Sequence, residues 1–308
     1  MPSTSVLEAI GNTPLVQLRS VVPSGAARVF IKLEYYNPTG SYKDRMALST
    51  IEPERKGKLR PGMRVVEYTG GSTGSSLALV CAVKGYRFTP ISSDAFAREK
   101  LDTMRAFGGD LMMVPSDGGK ISAELFARFR EAVARETADP NVFWADQFNN
   151  PDVVEGYTAM GREILAQMDA PIHAFCAAVG SGGMLVGVSR ALKAGGCTAR
   201  VVALEPAESP VLTTGQSGAH RVEGVGVGFR PPHLQPGDYD EVRAVPEAVA
   251  RAMARQLARE EGIFAGTSTG LNVSAAVELA RRLGPEATVV TVAVDSGLKY
   301  LSGDLYSA

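Results

Sequence analysis

The sequence predicts an α/β protein of two doubly wound domains, each a parallel sheet covered by helices. Three observations carry that reading. Short apolar runs alternate with amphipathic runs along the chain, the pattern of parallel strands joined by crossover helices. Three turns of glycine, serine and threonine punctuate the alternation, and each leads into a helical run. The 308 residues, 45% of them hydrophobic, suffice for two cores of ordinary size.

Taken in order, RVFIKLE (28–34) reads as a strand. NPTGSYKDR (37–45) opens on turn residues, offers Ser41 as an N-cap, and starts a helix expected to run through MALSTIEPERKG to Gly57. MRVVEYT (63–69) is a strand, followed by a small-residue turn and the apolar helix SSLALVCAVKG. FTPISSD, DLMMVPS and NVFWAD are further strands. Between the last two, Ile121, Leu125, Phe129 and Val133 recur every four residues and define one helical face. A domain boundary is expected near Asn149-Asn150-Pro151-Asp152. Beyond it, HAFCAAVG is a strand, MLVGVSRALKAG a helix and ARVVALEP a strand. PEAVARAMARQLAREEG begins with proline and ends on glycine, as helices tend to. LNVSAAVELARRL stops at Gly284-Pro285, and ATVVTVAVD is a last buried strand.

Lys+Arg and Asp+Glu nearly cancel, 32 against 33, so no basic footprint for nucleic acid or anionic membrane is present. No apolar run approaches the roughly 18–20 residues of a membrane span. MPSTSVLEAIGNTP lacks the basic and apolar regions of a signal peptide. A soluble cytoplasmic protein is expected. Cys81, Cys176 and Cys197 are far apart and read as buried thiols rather than a disulfide or zinc site. His173, His220 and His233 show no ligand spacing, so neither a metal centre nor a histidine triad is expected.

The chemistry gathers at one lysine and three loops. Lys43 falls in the first turn of a helix, the wrong end for a cation. TGGSTGSS (69–76), VGSGGMLVG (179–187) and AGTSTGLN (265–272) present backbone N–H groups and small hydroxyls at helix starts, which suits an anion. None is a complete nucleotide motif. Leu185 stands where G-x-G-x-x-G needs its third glycine, and Gly57-Lys58 and Gly119-Lys120 lack the P-loop hydroxyl. A positive helix end and burial both disfavour the ammonium form, and an uncharged amine attacks carbonyls. Pyridoxal phosphate needs a Schiff-base lysine, a phosphate cradle and a partner for its ring nitrogen, and this chain can supply all three. Two readings of Lys43 stand on position alone: that nucleophile, or a solvated lysine paired with Asp44 or a nearby glutamate.

The motifs then resemble a known family. IGNTPLVQL (10–18), NPTGSYKDR, EYTGGSTG (67–74), GSGGM (180–184), GVGVGF (224–229), GTSTG (266–270) and DSGLKYLS (295–302) follow the order of the cysteine synthase and cystathionine β-synthase family, the fold-type II pyridoxal-phosphate enzymes. The resemblance spans essentially the whole chain. It implies a tryptophan synthase β-like architecture with the cofactor in the interdomain cleft. A smaller domain, 37–150, would carry the substrate carboxylate loop; residues 1–36 plus 151–308 would form the larger cofactor-binding domain.

Residue by residue, the resemblance implies that Lys43 holds pyridoxal 5'-phosphate and is the general base. Gly180, Ser181, Gly182, Gly183 and Met184 would bind its phosphate. Ser268 would face the pyridine nitrogen, and Ser72 stands where the family contacts the phenolic oxygen. Thr69, Gly70, Gly71 and Thr73 would grip the substrate carboxylate, helped by Gln147. A neutral serine at the ring nitrogen fits replacement or elimination at Cβ better than transamination.

The implied reaction is β-replacement on an O-activated L-serine, with O-acetylserine first and O-phosphoserine or serine as alternatives. A sulfide or thiol nucleophile would give cysteine or a related β-substituted alanine. A homodimer is implied, as is a serine acetyltransferase tail as partner.

The departures are Ser72 for asparagine, Gly70 for serine, Tyr68 for proline and Met184 for threonine. Rival readings are net β-elimination, a partner-binding scaffold of low activity, and a nucleotide-binding oxidoreductase. Without the family pattern, Ser268 reads as a helix cap and Gln147 as a turn residue. Asp44 and Arg45 read as a structural ion-pair network, and the arginines of 251–259 as a solvated face.

Overall fold

A computed structural model describes residues 2–52, 57–119 and 123–307. In chain order its elements are β1 (Leu15–Gln17), β2 (Arg28–Leu33), α1 (Lys43–Thr50), β3 (Arg64–Tyr68), α2 (Ser72–Lys84), β4 (Arg87–Ser92), α3 (Arg98–Ala106), β5 (Met112–Met113), α4 (Ala123–Glu136), β6 (Val142–Trp144), α5 (Asp152–Gln167), β7 (Ala174–Ala178), α6 (Gly183–Ala194), β8 (Arg200–Pro206), α7 (Val211–Thr214), β9 (Glu241–Val245), α8 (Glu247–Glu260), α9 (Thr267–Leu283) and β10 (Thr288–Ala293). The chain divides into two compact units. One comprises Met1–Ile10 and Lys43–Gly156, the other Gly11–Tyr42 and Tyr157–Ala308.

The first unit is built on a four-stranded parallel sheet in the order β5-β4-β3-β6. Its central strand β3 buries Val65, Val66 and Glu67, as a strand covered on both faces must. The face of α4 read from the sequence packs here: Leu125, Phe129 and Val133 join Ile91 and Val114 in one core, while Ile121 lies outside the described residues. Tyr68 extends that core, stacking on Phe129 at 5.9 Å and Phe148 at 6.1 Å between ring centroids.

The second unit carries a six-stranded sheet in the order β1-β2-β10-β7-β8-β9. It is parallel except for β1, which pairs antiparallel with β2 at the edge. Helix α9 lies along this sheet and buries Leu271, Val273, Ala276 and Leu279. Lys32 in β2 is fully buried yet satisfied. Its Nζ donates to Thr13 O at 2.6 Å and Gln167 Oε1 at 2.9 Å, and pairs with Glu163 at 2.8 Å.

Parallel α/β architecture in two units is therefore as expected, and the differences are local. Helix α1 ends at Thr50 rather than continuing to Gly57. Glu52 precedes a proline, which steers a residue away from helical backbone; residues 53–56 of the expected stretch lie outside the described residues. The arginines of α8 are not a plain solvated face. Arg251 pairs with Asp304 at 2.8 Å, and Arg255 donates to Leu305 O at 3.1 Å, tying down the C-terminal segment. Burial pushes the Cys81 and Cys176 thiols up to about 12, so both behave as core residues. Among the described residues no helix is long and apolar enough to cross a membrane.

Candidate active site

In the first unit, Lys43 is the first residue of α1 and only 9% exposed. The solvated-surface reading of this lysine is thereby overturned. Asp44 and Arg45 beside it are buried as well.

At the carboxyl end of β3 the chain turns through Thr69, Gly70 and Gly71 into α2, which starts at Ser72. Thr69 donates its N–H to Ile91 O at 2.9 Å and accepts from Gly71 N at its hydroxyl at 3.3 Å. The first N–H groups of any helix lack intrahelical acceptors, so the start of α2 offers donors to an anion. The Thr73 hydroxyl donates to Gln147 Oε1 at 2.9 Å, and Gln147 Nε2 donates to Tyr68 O at 3.4 Å. Four of the residues read from the sequence as one loop, Thr69, Gly70, Gly71 and Thr73, are thus together, and Gln147 joins them from a distant turn.

Gly70 has a local cause. A Cβ there would lie 2.1 Å from the Phe96 ring. Phe96 fills the space that a serine side chain would need and stacks on Phe129 at 6.2 Å. Gly70→Ser is expected to destabilise the protein by about 1–3 kcal/mol through overpacking. In the Phe96→Ala background the same change is expected to be nearly neutral. A double-mutant cycle in urea that finds the two changes additive would refute the steric coupling.

In the second unit, β7 leads through Val179, Gly180 and Ser181 into α6. Gly182 caps that helix at φ 84, a left-handed conformation suited to glycine. A Cβ on Gly180 would fall 2.4 Å from Gly224 O, so the glycine allows two backbones to meet. Gly226 N donates to Val179 O at 3.0 Å, which stitches GVGVGF to the root of this loop. Met184 is buried in the first turn of α6 and supplies no hydroxyl.

The start of α9 resolves a choice left open by its sequence. Gly266 occupies the N-cap, and three successive hydroxyls lie inside the helix. Thr267 accepts from Glu223 N at 3.3 Å, and Thr269 accepts from Val294 N at 3.0 Å. Ser268 Oγ, in a residue 1% exposed, has no partner. The cap reading of Ser268 is therefore replaced. A buried hydroxyl without a partner is costly and suggests a missing one, and a pyridine nitrogen is a fitting candidate. Each unit supplies donors of a kind that pyridoxal phosphate needs: the first a buried lysine, the second N–H groups at a glycine-rich helix start and an orphaned serine.

Two features escaped the sequence reading. Phe96 is one, and Glu67 is the other. Glu67 is fully buried, and burial pushes its carboxyl up to about 8. The signal for it was present: a carboxylate inside the apolar strand MRVVEYT.

Comparison with known proteins agrees with the chemistry of the residues. The family described as "Pyridoxal-phosphate dependent enzyme" matches residues 6–295, and the chain belongs to it. Within that class it is cysteine synthase-like. A curated cysteine synthase of Staphylococcus aureus is 41% identical over 310 residues, covering 99% of this chain and 98% of the relative. The crystal structure of an O-ureido-L-serine synthase superposes with a TM-score of 0.91 at 35% identity, covering 99% of this chain and 96% of that one. O-acetyl serine sulfhydrylase isoform 3 of Entamoeba histolytica gives 0.93 at 33% identity, covering 100% and 92%.

Proposed function

We propose that the protein catalyses β-replacement on an O-activated L-serine, O-acetyl-L-serine foremost, with sulfide as the nucleophile. Hydrosulfide and O-acetylserine would give cysteine and acetate. Pyridoxal phosphate supplies the electron withdrawal that makes the Cα proton of a bound amino acid acidic. Lys43 would hold it, and the Lys43 amine would be the base that takes the Cα proton. Gly180, Ser181, Gly182, Gly183 and Met184 take the phosphate through backbone N–H groups, which the methionine leaves intact. Ser72 would stand beside the cofactor's phenolic oxygen. Thr69, Gly70, Gly71, Thr73 and Gln147 hold the substrate carboxylate.

The observation that carries the reading is Ser268 Oγ, buried and unpartnered at the start of α9. As a neutral partner it leaves the ring nitrogen without a counter-charge, which favours chemistry at Cβ over transamination. Ser268→Ala should leave the thermal stability of the cofactor-free protein unchanged or slightly raised, because no hydrogen bond is lost. It should lower turnover of the loaded enzyme about tenfold. Equal turnover in both proteins would remove Ser268 from the site.

Division of labour would follow the two units, Met1–Ile10 with Lys43–Gly156 for the substrate carboxylate and Gly11–Tyr42 with Tyr157–Ala308 for the cofactor phosphate, so that residues 1–10 fall outside the domain expected for them. A homodimer and a serine acetyltransferase tail as partner rest on the family resemblance, and a cytoplasmic location on the sequence pattern alone. The visible spectrum of the purified protein tests the function. A yellow band that changes with O-acetyl-L-serine and returns on adding sulfide supports it. A band indifferent to that substrate moves the donor to O-phosphoserine or serine. Pyruvate and ammonia without incorporation of sulfide would mean net elimination. No band after incubation with pyridoxal phosphate sinks the reading.

A further inference from the structure

We propose that Glu67 is a positioning residue for substrate binding: from the end of β3 it holds the backbone of Gln147, so that the Gln147 side chain closes on Thr73. The proposal rests on the reading of Thr73 and Gln147 as part of the substrate carboxylate site.

The connections run through hydrogen bonds within one unit. Gln147 N donates to Glu67 Oε2 at 3.0 Å. The Gln147 side chain then bridges Thr73 and the carbonyl of Tyr68, the residue that follows Glu67 in the chain. The carboxyl thereby holds the 145–150 turn from which the Gln147 side chain reaches the start of α2.

The turn needs holding. Asp146 adopts φ 47, a left-handed conformation unusual for a residue with a side chain. Such strain persists only where the surroundings over-determine it, and it gathers at functional sites. Asp146 is braced from one side by Asn149, whose Nδ2 donates to its Oδ1 at 2.8 Å. Glu67 braces the next residue from the sheet.

A carboxyl is a costly choice for this task. Glu67 is fully buried, and its Oε1 accepts no hydrogen bond. Burial, offset in part by the Gln147 N–H and reinforced by Asp146, keeps the group largely protonated at neutral pH. A neutral carboxyl accepts the Gln147 N–H without placing a negative charge behind a loop meant for another carboxylate. Only an acceptor oxygen at this position does the work, so glutamine should replace it and a methionine of similar size should not.

The test compares wild type, Glu67→Gln and Glu67→Met, each loaded with pyridoxal phosphate. Dissociation constants for L-alanine, which has no leaving group at Cβ, are read from the visible band. KM and kcat for O-acetyl-L-serine are measured beside them. Glu67→Met is expected to raise the alanine constant and KM about tenfold or more, with kcat within about threefold and the cofactor band intact. Glu67→Gln should stay within about threefold of wild type in both. Methionine relieves the buried acid but orphans the Gln147 N–H, so circular dichroism and the cofactor band of Glu67→Met are checked before its constants are read. If Glu67→Met binds alanine as wild type does, or Glu67→Gln fails as badly as Glu67→Met, the positioning role is overturned. A wild-type protein that holds the cofactor yet ignores every amino acid overturns the substrate reading and this proposal with it.

Discussion

Lys43→Ala is expected to abolish the yellow band and to lower turnover by about 10³-fold or more, with the fold intact. Lys43 opens α1 and is nearly buried. Alanine is the best helix former, so the circular dichroism spectrum should change little. Lys43→Arg separates the chemical role from a role in charge. A guanidinium is always protonated in proteins and cannot act as nucleophile or base. The arginine variant should therefore be as inactive as the alanine variant, although it keeps the charge. If Lys43→Arg retained turnover near wild type, the lysine would serve as a cation and the cofactor assignment would fall. The solvated-surface reading of the same residue predicts no effect from either change.

What could be read from the sequence follows from how local each cause is. The strand–helix alternation rests on side-chain periodicity, and β3, α2, β7, α6 and β10 appear where it placed them. The position of Lys43 at a helix start followed from the turn residues before it. Helix α1 came out shorter than expected, because a proline two residues after Ile51 outweighs a run of good helix formers. Strands β1 and β9 and helices α3, α5 and α7 went unassigned, although GYTAMGREILAQ in α5 carries a helical pattern.

At the site, the division is sharper. Gly/Ser/Thr turns announce themselves, since few other residues make them. The fates of the three hydroxyls of Thr267, Ser268 and Thr269 do not, because each depends on a partner distant in sequence: Glu223 for the first, Val294 for the third and none for the second. The reason for Gly70 is equally non-local. Its departure from the family serine was visible, but Phe96, which fills that space, is 26 residues away in sequence. Compensating pairs of this kind are invisible until the fold brings them together.

Glu67 also predicts how stability depends on pH. Its folded value, about 8, lies above the ordinary glutamate value of 4.5. Its contribution is fully present below pH 4.5, where both folded and unfolded chains hold the proton. It falls as pH rises, because the unfolded chain releases the proton while the folded chain keeps it, and it levels off above about pH 8. The span of that loss is on the order of 5 kcal/mol, at about 1.4 kcal/mol per pH unit. Glu67→Met has no proton to hold and should not share this slope. It leaves the Gln147 N–H without an acceptor, which costs about 1–3 kcal/mol at every pH. The offset between the two proteins therefore mixes several effects, whereas the slope of the difference isolates the buried carboxyl. Urea unfolding of wild type and Glu67→Met from pH 5 to pH 9 should show curves that separate up to about pH 8 and then run parallel. Curves parallel from pH 5 onward would mean that Glu67 is ionised in the folded protein. The loop for the substrate carboxylate would then have a negative charge buried behind it, and the choice of a neutral acceptor would have to be abandoned.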